Sequence, residues 1–217
     1  MGQVSLDGVA GAGKSTLSKL LRSQLPDAHI VEDRKSVYGY ARLMEMLKPD
    51  AFAITDGFIR YQTDNYTQQG NIFERSFITQ LPYIIAYKNL TASEAHRLID
   101  HYQKSINSGQ LIIPDLIVYI AVDAKTAFDR QKQMNALINK EGDGEKTLRA
   151  EVCYLCALLQ CISNVKIITI SGEDVASVLA NKKIMVEIDR TLSASPNNNK
   201  SLDLDKFKSL ISDLLPE

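Results

Sequence analysis

The sequence of 217 residues has no tryptophan, three cysteines and three histidines. The cysteines are odd in number, and all of them, Cys153, Cys156 and Cys161, fall in one apolar segment, AEVCYLCALLQC, with no histidine nearby. That pattern argues against a disulfide framework or a metal clip and reads as small core hydrophobes on a single helix. Charge of one sign is also missing. Lys and Arg number 25 against 26 Asp and Glu, a formal net charge of −1 that offers no general attraction to nucleic acid or anionic lipid. No apolar run approaches the ~20 residues needed to cross a bilayer, and the start of the chain lacks the charged-then-apolar pattern of a secretory signal. The expectation is a cytoplasmic protein with neither a nucleic-acid polymer nor a membrane as partner. What remains is 45% hydrophobic and 24% charged, the balance of a globular domain able to bury about 70% of its unfolded surface unaided.

Apolar periodicity alternates between strand and helix along most of the chain. Strands are predicted at residues 3–7, 29–32, 72–73, 115–122 and 166–170, the fourth being the continuous β-rich run LIVYIAV expected of a strand covered on both faces. Helices are predicted at 14–25, 38–47, 49–66, 79–88 and 91–108, the last opened by a capping box, Thr91-Ala92-Ser93-Glu94. Helical patterning resumes from Lys125, pauses at Glu141-Gly142-Asp143-Gly144, continues to Ile162, and returns over 173–192. Such alternation implies an α/β fold with a doubly wound, parallel, five-stranded sheet. Residues 1–192 read as one domain, 193–201 (SASPNNNKS) as a low-complexity linker, and 202–217 as a helical tail with an apolar stripe of Leu204, Phe207, Leu210, Ile211 and Leu214.

Gly8-Val9-Ala10-Gly11-Ala12-Gly13-Lys14-Ser15 satisfies G-x-x-x-x-G-K-[ST], between a predicted strand and a predicted helix. Backbone N–H groups of such a turn wrap a β-phosphate, and the helix N-terminus adds positive potential. Lys14 can reach the β- and γ-phosphates, and Ser15 can hold Mg²⁺. A nucleoside triphosphate is the implied ligand, with Thr16 next to the motif. The N-K-x-D of a guanine reader and the apolar run into Asp-Glu of motor ATPases are both absent.

Other segments resemble the deoxynucleoside kinase family, within the wider group that includes thymidylate kinases. Phe73-Glu74-Arg75-Ser76 corresponds to the family's E-R-S motif, and Tyr83-Ile84-x-Ala86 echoes its R-Y-I-F-A continuation, with Pro82 in place of the Arg. Glu32 takes the place of the catalytic carboxylate, with Asp33 where a Pro usually follows. Lys48-Pro49-x-x-Phe52 looks like K-P-x-x-W, Pro114-Asp115-Leu116-Ile117-Val118-Tyr119 matches P-D-L-I-x-Y, and Gly172-Glu173-Asp174 is similar to the loop that contacts adenine. The resemblance spans residues 3–192.

It implies ATP-dependent phosphorylation of a deoxynucleoside 5′-hydroxyl with Mg²⁺. Glu32 would be the base, Lys14 and Arg75 the phosphate electrophiles, and Ser15 and Glu74 the metal side. Arg130, Glu173 and Asp174 would lie along ATP, and Glu32, Arg60 and Arg75 along the acceptor. The apolar helices of 79–108 resemble the segments through which these kinases pair as homodimers. Two departures stand out. The family's base-reading Gln falls on Gly57 or Ala53, leaving Asp56, Arg60 and Gln62 as nearby polar groups, and of the lid pattern R-x-x-x-R-x-R only Arg130 matches, with Met134 and Ala136 at the other places. Lys132, Lys140 or Lys146 could supply the missing charge, though not a bidentate clamp. Two further readings stay open. A nucleoside monophosphate kinase would want Arg34, Arg42 or Arg60 facing an acceptor phosphate, and a diverged nucleotide-binding protein would show little phosphoryl transfer.

Overall fold

The computed structural model describes residues 1–34, 37, 50–67, 70–133, 144–173, 175 and 181–216. Strands β1 (Gln3–Asp7), β2 (His29–Val31), β3 (Asn71–Phe73), β4 (Leu116–Ala121) and β6 (Lys166–Ser171) form the five-stranded sheet in the order β2-β3-β1-β4-β6. Every pairing is parallel, as the β-rich, doubly covered strands predict. Val4, Leu6, Ile72, Leu116 and Val118 have no exposed surface, so the sheet interior is the core of the molecule. Because the chain runs from β1 to β2 on one side and from β3 to β4 on the other, the connections leaving the C-terminal ends of these neighbouring strands diverge. That divergence opens the crevice in which doubly wound sheets receive ligands.

The helices follow their caps. Helix α1 (Lys14–Gln24) starts after Gly13, which is left-handed at φ 110°, and buries Leu17 and Leu21 one turn apart. Helix α2 (Ala51–Asn65) is capped by Asp50, whose side chain accepts from Ala53 N. Helix α3 (Phe77–Lys88) begins two residues before the predicted 79 because Ser76 caps it, accepting from Ile78 N at 3.1 Å. In α4 (Ala92–Asn107) the predicted capping box of Thr91 and Glu94 is formed on both sides. Helices α5 (Ala124–Gln133) and α6 (Gly144–Leu159) flank residues 134–143, and α7 (Lys182–Ser193) covers the later part of the predicted 173–192 helix. The helix expected at 38–47, Lys48-Pro49, Arg42, Met134, Ala136, Lys140 and Asp174 lie outside the described residues. No helix among those described is long and apolar enough to cross a membrane.

Two expectations change. The cysteines are not one buried helical set: Cys153 is exposed and Cys156 half-buried on α6, while Cys161 lies past its end, where its Sγ donates to Ala157 O. Residues 193–201 are tied down, because Asn197 N donates to Asp115 Oδ1 (2.8 Å), Lys200 Nζ pairs with the same oxygen (2.8 Å), and a short ladder joins β5 (Ile162–Ser163) to β7 (Ser201–Leu202). Helix α8 (Leu204–Ile211) then lays Leu204, Phe207 and Ile211 against α4 and α6, while Leu210 and Leu214 stay exposed.

Phe207 has no exposed surface. Phe207→Ala is therefore expected to cost about 3–5 kcal/mol in urea unfolding, and a loss below ~1 kcal/mol would place the tail outside the cooperative unit.

Candidate active site

The crevice begins where β1 ends. Asp7 is fully buried, and its carboxylate accepts from Ser5 Oγ (2.5 Å), Ser76 Oγ (3.0 Å) and Thr79 Oγ1 (2.6 Å). Thr79 Oγ1 in turn accepts from Gly8 N at 3.2 Å, so strand, phosphate loop and α3 meet in one hydrogen-bonded knot. The turn closes through Ala12 N to Val9 O (3.1 Å). Gly11 is left-handed at φ 86°, and a Cβ there would strike Ala127 O at 2.6 Å, so the loop rests directly on α5. From α5, Gln131 Nε2 donates to Ala10 O (2.8 Å) and Arg130 Nη1 reaches Gly11 O (3.5 Å). Lys14 arches back over the loop and donates to Gly8 O (2.5 Å) and Val9 O (2.9 Å).

Glu74 and Arg75 stand beside this loop, at the end of β3. The buried Glu74 carboxylate accepts from Ser15 Oγ and from Ser18 Oγ (3.3 Å), bringing together the two residues read as the metal side. A hydroxyl and a carboxylate are the oxygen donors Mg²⁺ favours. Arg75 Nε donates to Asp33 Oδ2 at 2.8 Å and its guanidinium lies 5.3 Å from the centre of the Tyr83 ring. Burial pushes this guanidinium down, but Asp33, Glu151 and Tyr83 outweigh it and hold the charge more firmly than usual. Gln62 Nε2 donates to Arg75 O at 3.1 Å.

Other expected site residues lie further out. Glu32 pairs with Arg22 of α1, and its backbone O accepts from Tyr61, so at the Arg75 guanidinium the carboxylate is that of Asp33. Arg60 is on the exposed face of α2, and Asp56, also exposed, bonds His101 at 2.7 Å. Thr16 is exposed on α1. Glu173 lines a cavity of about 250 Å³ with Tyr119, Ala121, Val122, Asp123 and Ser171, at the C-terminal ends of β4 and β6. This cavity adjoins the phosphate loop, since a Cβ on the neighbouring Gly172 would meet Ala12 O at 3.0 Å.

The sequence reading missed Glu151. It lies on α6, is 1% exposed, and its Oε1 has no hydrogen-bond partner among the described residues. Burial pushes its carboxyl up to about 7, against the opposing pull of Arg75, Lys14 and the Ala10 N–H. Lys14 is lowered to about 8 by burial and by Arg75, partly offset by Glu151, Asp33 and Asp7. Each of the two buried groups bears on the charge of the other, beside the phosphate loop.

A family profile for deoxynucleoside kinases matches residues 4–193. The chain belongs to that family. As a deoxynucleoside kinase it is a phosphotransferase, and its fold agrees with those of solved relatives. One structure of deoxyadenosine kinase from M. mycoides, with bound dCTP, is 20% identical, with 88% of this chain and 100% of that chain covered at a TM-score of 0.62. Another, with bound dATP, is 19% identical, with 88% and 98% covered and a TM-score of 0.61. A third, with the products dCMP and a flexible dCDP, gives 19% identity, 87% and 98% coverage and a TM-score of 0.59. No curated protein sequence matches significantly.

The interacting charges of Glu151 and Lys14 lead to the expectation that nucleotide binding depends on pH. As pH rises, Glu151 gains negative charge and Lys14 loses positive charge, and both changes oppose an incoming phosphate. Triphosphate affinity is expected to fall about 10-fold or more from about pH 7 to about pH 9, with proton uptake on binding, read by titration calorimetry in two buffers of different ionisation enthalpy. Glu151→Gln should raise the affinity at the alkaline end, and an unchanged slope in that variant would remove Glu151 from the account.

Proposed function

We propose that the chain transfers the γ-phosphoryl group of Mg·ATP to the 5′-hydroxyl of a deoxynucleoside. The observation that carries this reading is the convergence of Lys14, Ser15, Glu74 and Arg75 at the end of β1, in a chain of this family. The reaction needs an acceptor oxygen in line with the γ-phosphorus, cations around the developing charge, and a group to take the hydroxyl proton. Lys14 would neutralise the β- and γ-oxygens, and Arg75, held charged by Asp33, would meet the transferring phosphoryl at the acceptor side. The Ser15 hydroxyl and the Glu74 carboxylate would hold Mg²⁺, which when bound offsets negative charge between the two terminal phosphates.

Glu32 would accept the 5′-hydroxyl proton once it leaves Arg22. That step is undemanding, because the Arg22–Glu32 pair is solvent-accessible and such pairs contribute little. Gly8 to Gly13 would cradle the phosphates, Arg130 would flank them from α5, and Glu173, with Asp174, would border the donor base. A cytoplasmic setting and pairing of two chains through the helices of 79–108 belong to the same reading and rest on the family likeness.

ADP release from Mg·ATP with each of the four deoxynucleosides and their monophosphates tests this reading. Turnover is expected with a nucleoside. Lys14→Ala should lower it about 10²–10³-fold and Glu32→Gln about 10²–10⁴-fold. Turnover confined to monophosphates, or full activity in both variants, would replace it.

A further inference from the structure

Arg34 is the one strongly buried guanidinium of the described residues for which no hydrogen bond or ion pair within that set is found. It is 4% exposed and follows Glu32 and Asp33 out of β2, and its guanidinium lies 5.6 Å from the centre of the Phe58 ring on α2. The neighbouring residue on that helix is Gly57. A Cβ placed there would meet Arg34 Nη1 at 3.5 Å, with no other described heavy atom within 4 Å. The titratable groups that bear on Arg34 are Asp33, Arg75, Tyr102 and Tyr83, so it belongs to the same charged cluster as Arg75. Helix α2 thus lacks a side chain where the guanidinium comes up against it. Burying so many N–H donors with no acceptor among the described residues is costly in the unliganded protein.

We propose that Arg34 reads the base of the acceptor nucleoside, and that the base it selects presents two adjacent hydrogen-bond acceptors on one edge. The proposal rests on the kinase reading above and specifies its substrate. Phe58, Gly57 and the fully buried Tyr102 give Arg34 surroundings dominated by rings and a missing side chain, which suit a base. The Asp33 carboxylate next to Arg34 would repel an acceptor phosphate. A guanidinium carries donors only, in a planar fork. Guanine O6 and N7 match that fork, and so do cytosine O2 and N3. Adenine places an amino donor beside each acceptor on its N1, N6 and N7 edges, and thymine alternates acceptor, donor and acceptor. Either would leave an N–H of Arg34 facing a donor or nothing, the mismatch that polar sites reject most strongly.

The test is kcat/KM for the four deoxynucleosides and 7-deazadeoxyguanosine, with the wild type, Arg34→Gln and Arg34→Lys, alongside unfolding midpoints. Deoxyguanosine or deoxycytidine is expected to lead deoxyadenosine and thymidine by at least ~10-fold. If guanine is the base, the 7-deaza analogue drops by a similar factor; if cytosine, deoxycytidine leads. Arg34→Gln, whose amide pairs a donor with an acceptor, should lower the preferred substrate ~10- to 100-fold, mainly through KM, and raise deoxyadenosine relative to it. Arg34→Lys keeps the charge and should still lose the discrimination, a result that a purely structural role would not give. Deoxyadenosine or thymidine leading in the wild type, or an unchanged ranking in both variants, overturns the proposal. So does a preference for monophosphates that Arg34→Gln abolishes equally for every base. Should no nucleoside turn over, the same ranking is read from equilibrium dialysis of the nucleosides: a ranking that depends on Arg34 upholds the base reader while the kinase reading fails, and its absence sinks the base reader as well.

Discussion

The carboxylate of Asp7 is buried where β1 gives way to the phosphate loop, and its hydrogen bonds come from Ser5, Ser76 and Thr79. An anion taken out of water requires such donors, and these belong to two different parts of the chain, β1 and the first turn of α3. Satisfying Asp7 therefore fixes the end of β1, the start of α3 and, through Thr79, the N–H of Gly8 at one point. The loop's other contacts, to α5 through Gln131 and to the turn at Gly172, are made against that anchor. A phosphate loop owes its affinity to backbone N–H groups already aimed at the ligand, and here the aim is set by a side chain that never touches it.

Around this anchor the site is crowded with charge of both signs. Lys14 and Arg34 are buried cations and Arg75 a half-buried one, and Asp33, Glu74 and Glu151 are carboxylates interleaved with them. Within the protein these charges partly cancel, which allows them to coexist beneath the surface before a ligand arrives. Glu151 is the extreme member, a carboxyl whose burial disfavours its charge while Arg75, Lys14 and the Ala10 N–H favour it.

Much of this was legible before the structure. The phosphate loop, the Ser15–Glu74 meeting and the parallel sheet follow from short motifs whose spacing and context are local. The resemblance to deoxynucleoside kinases was carried by the same motifs, and the family match spans the same stretch. Glu151 was not legible, because RAEVCYL reads as ordinary amphipathic helix and only the packing of α6 on α3 turns that face inward. Asp33 appeared as a departure from a motif, yet it is the carboxylate that holds Arg75. Arg60 shows the converse: a charge at the right spacing sits on the exposed side of α2, a matter of rotation about the helix axis that nearby sequence does not decide. The β5–β7 ladder joins residues far apart in sequence through two-residue strands too short to leave a pattern.

Asp115 links the last part of the chain to the first. Its carboxylate accepts from Gln3 N (2.7 Å), from Asn197 N and from Lys200, while its own N–H donates to Gln3 O at 2.7 Å. The strand it grips by one end is the strand whose other end is Asp7. A mechanical load applied to the tail is thus delivered to the base of β1, and the rod that bears it is the one that holds the phosphate loop.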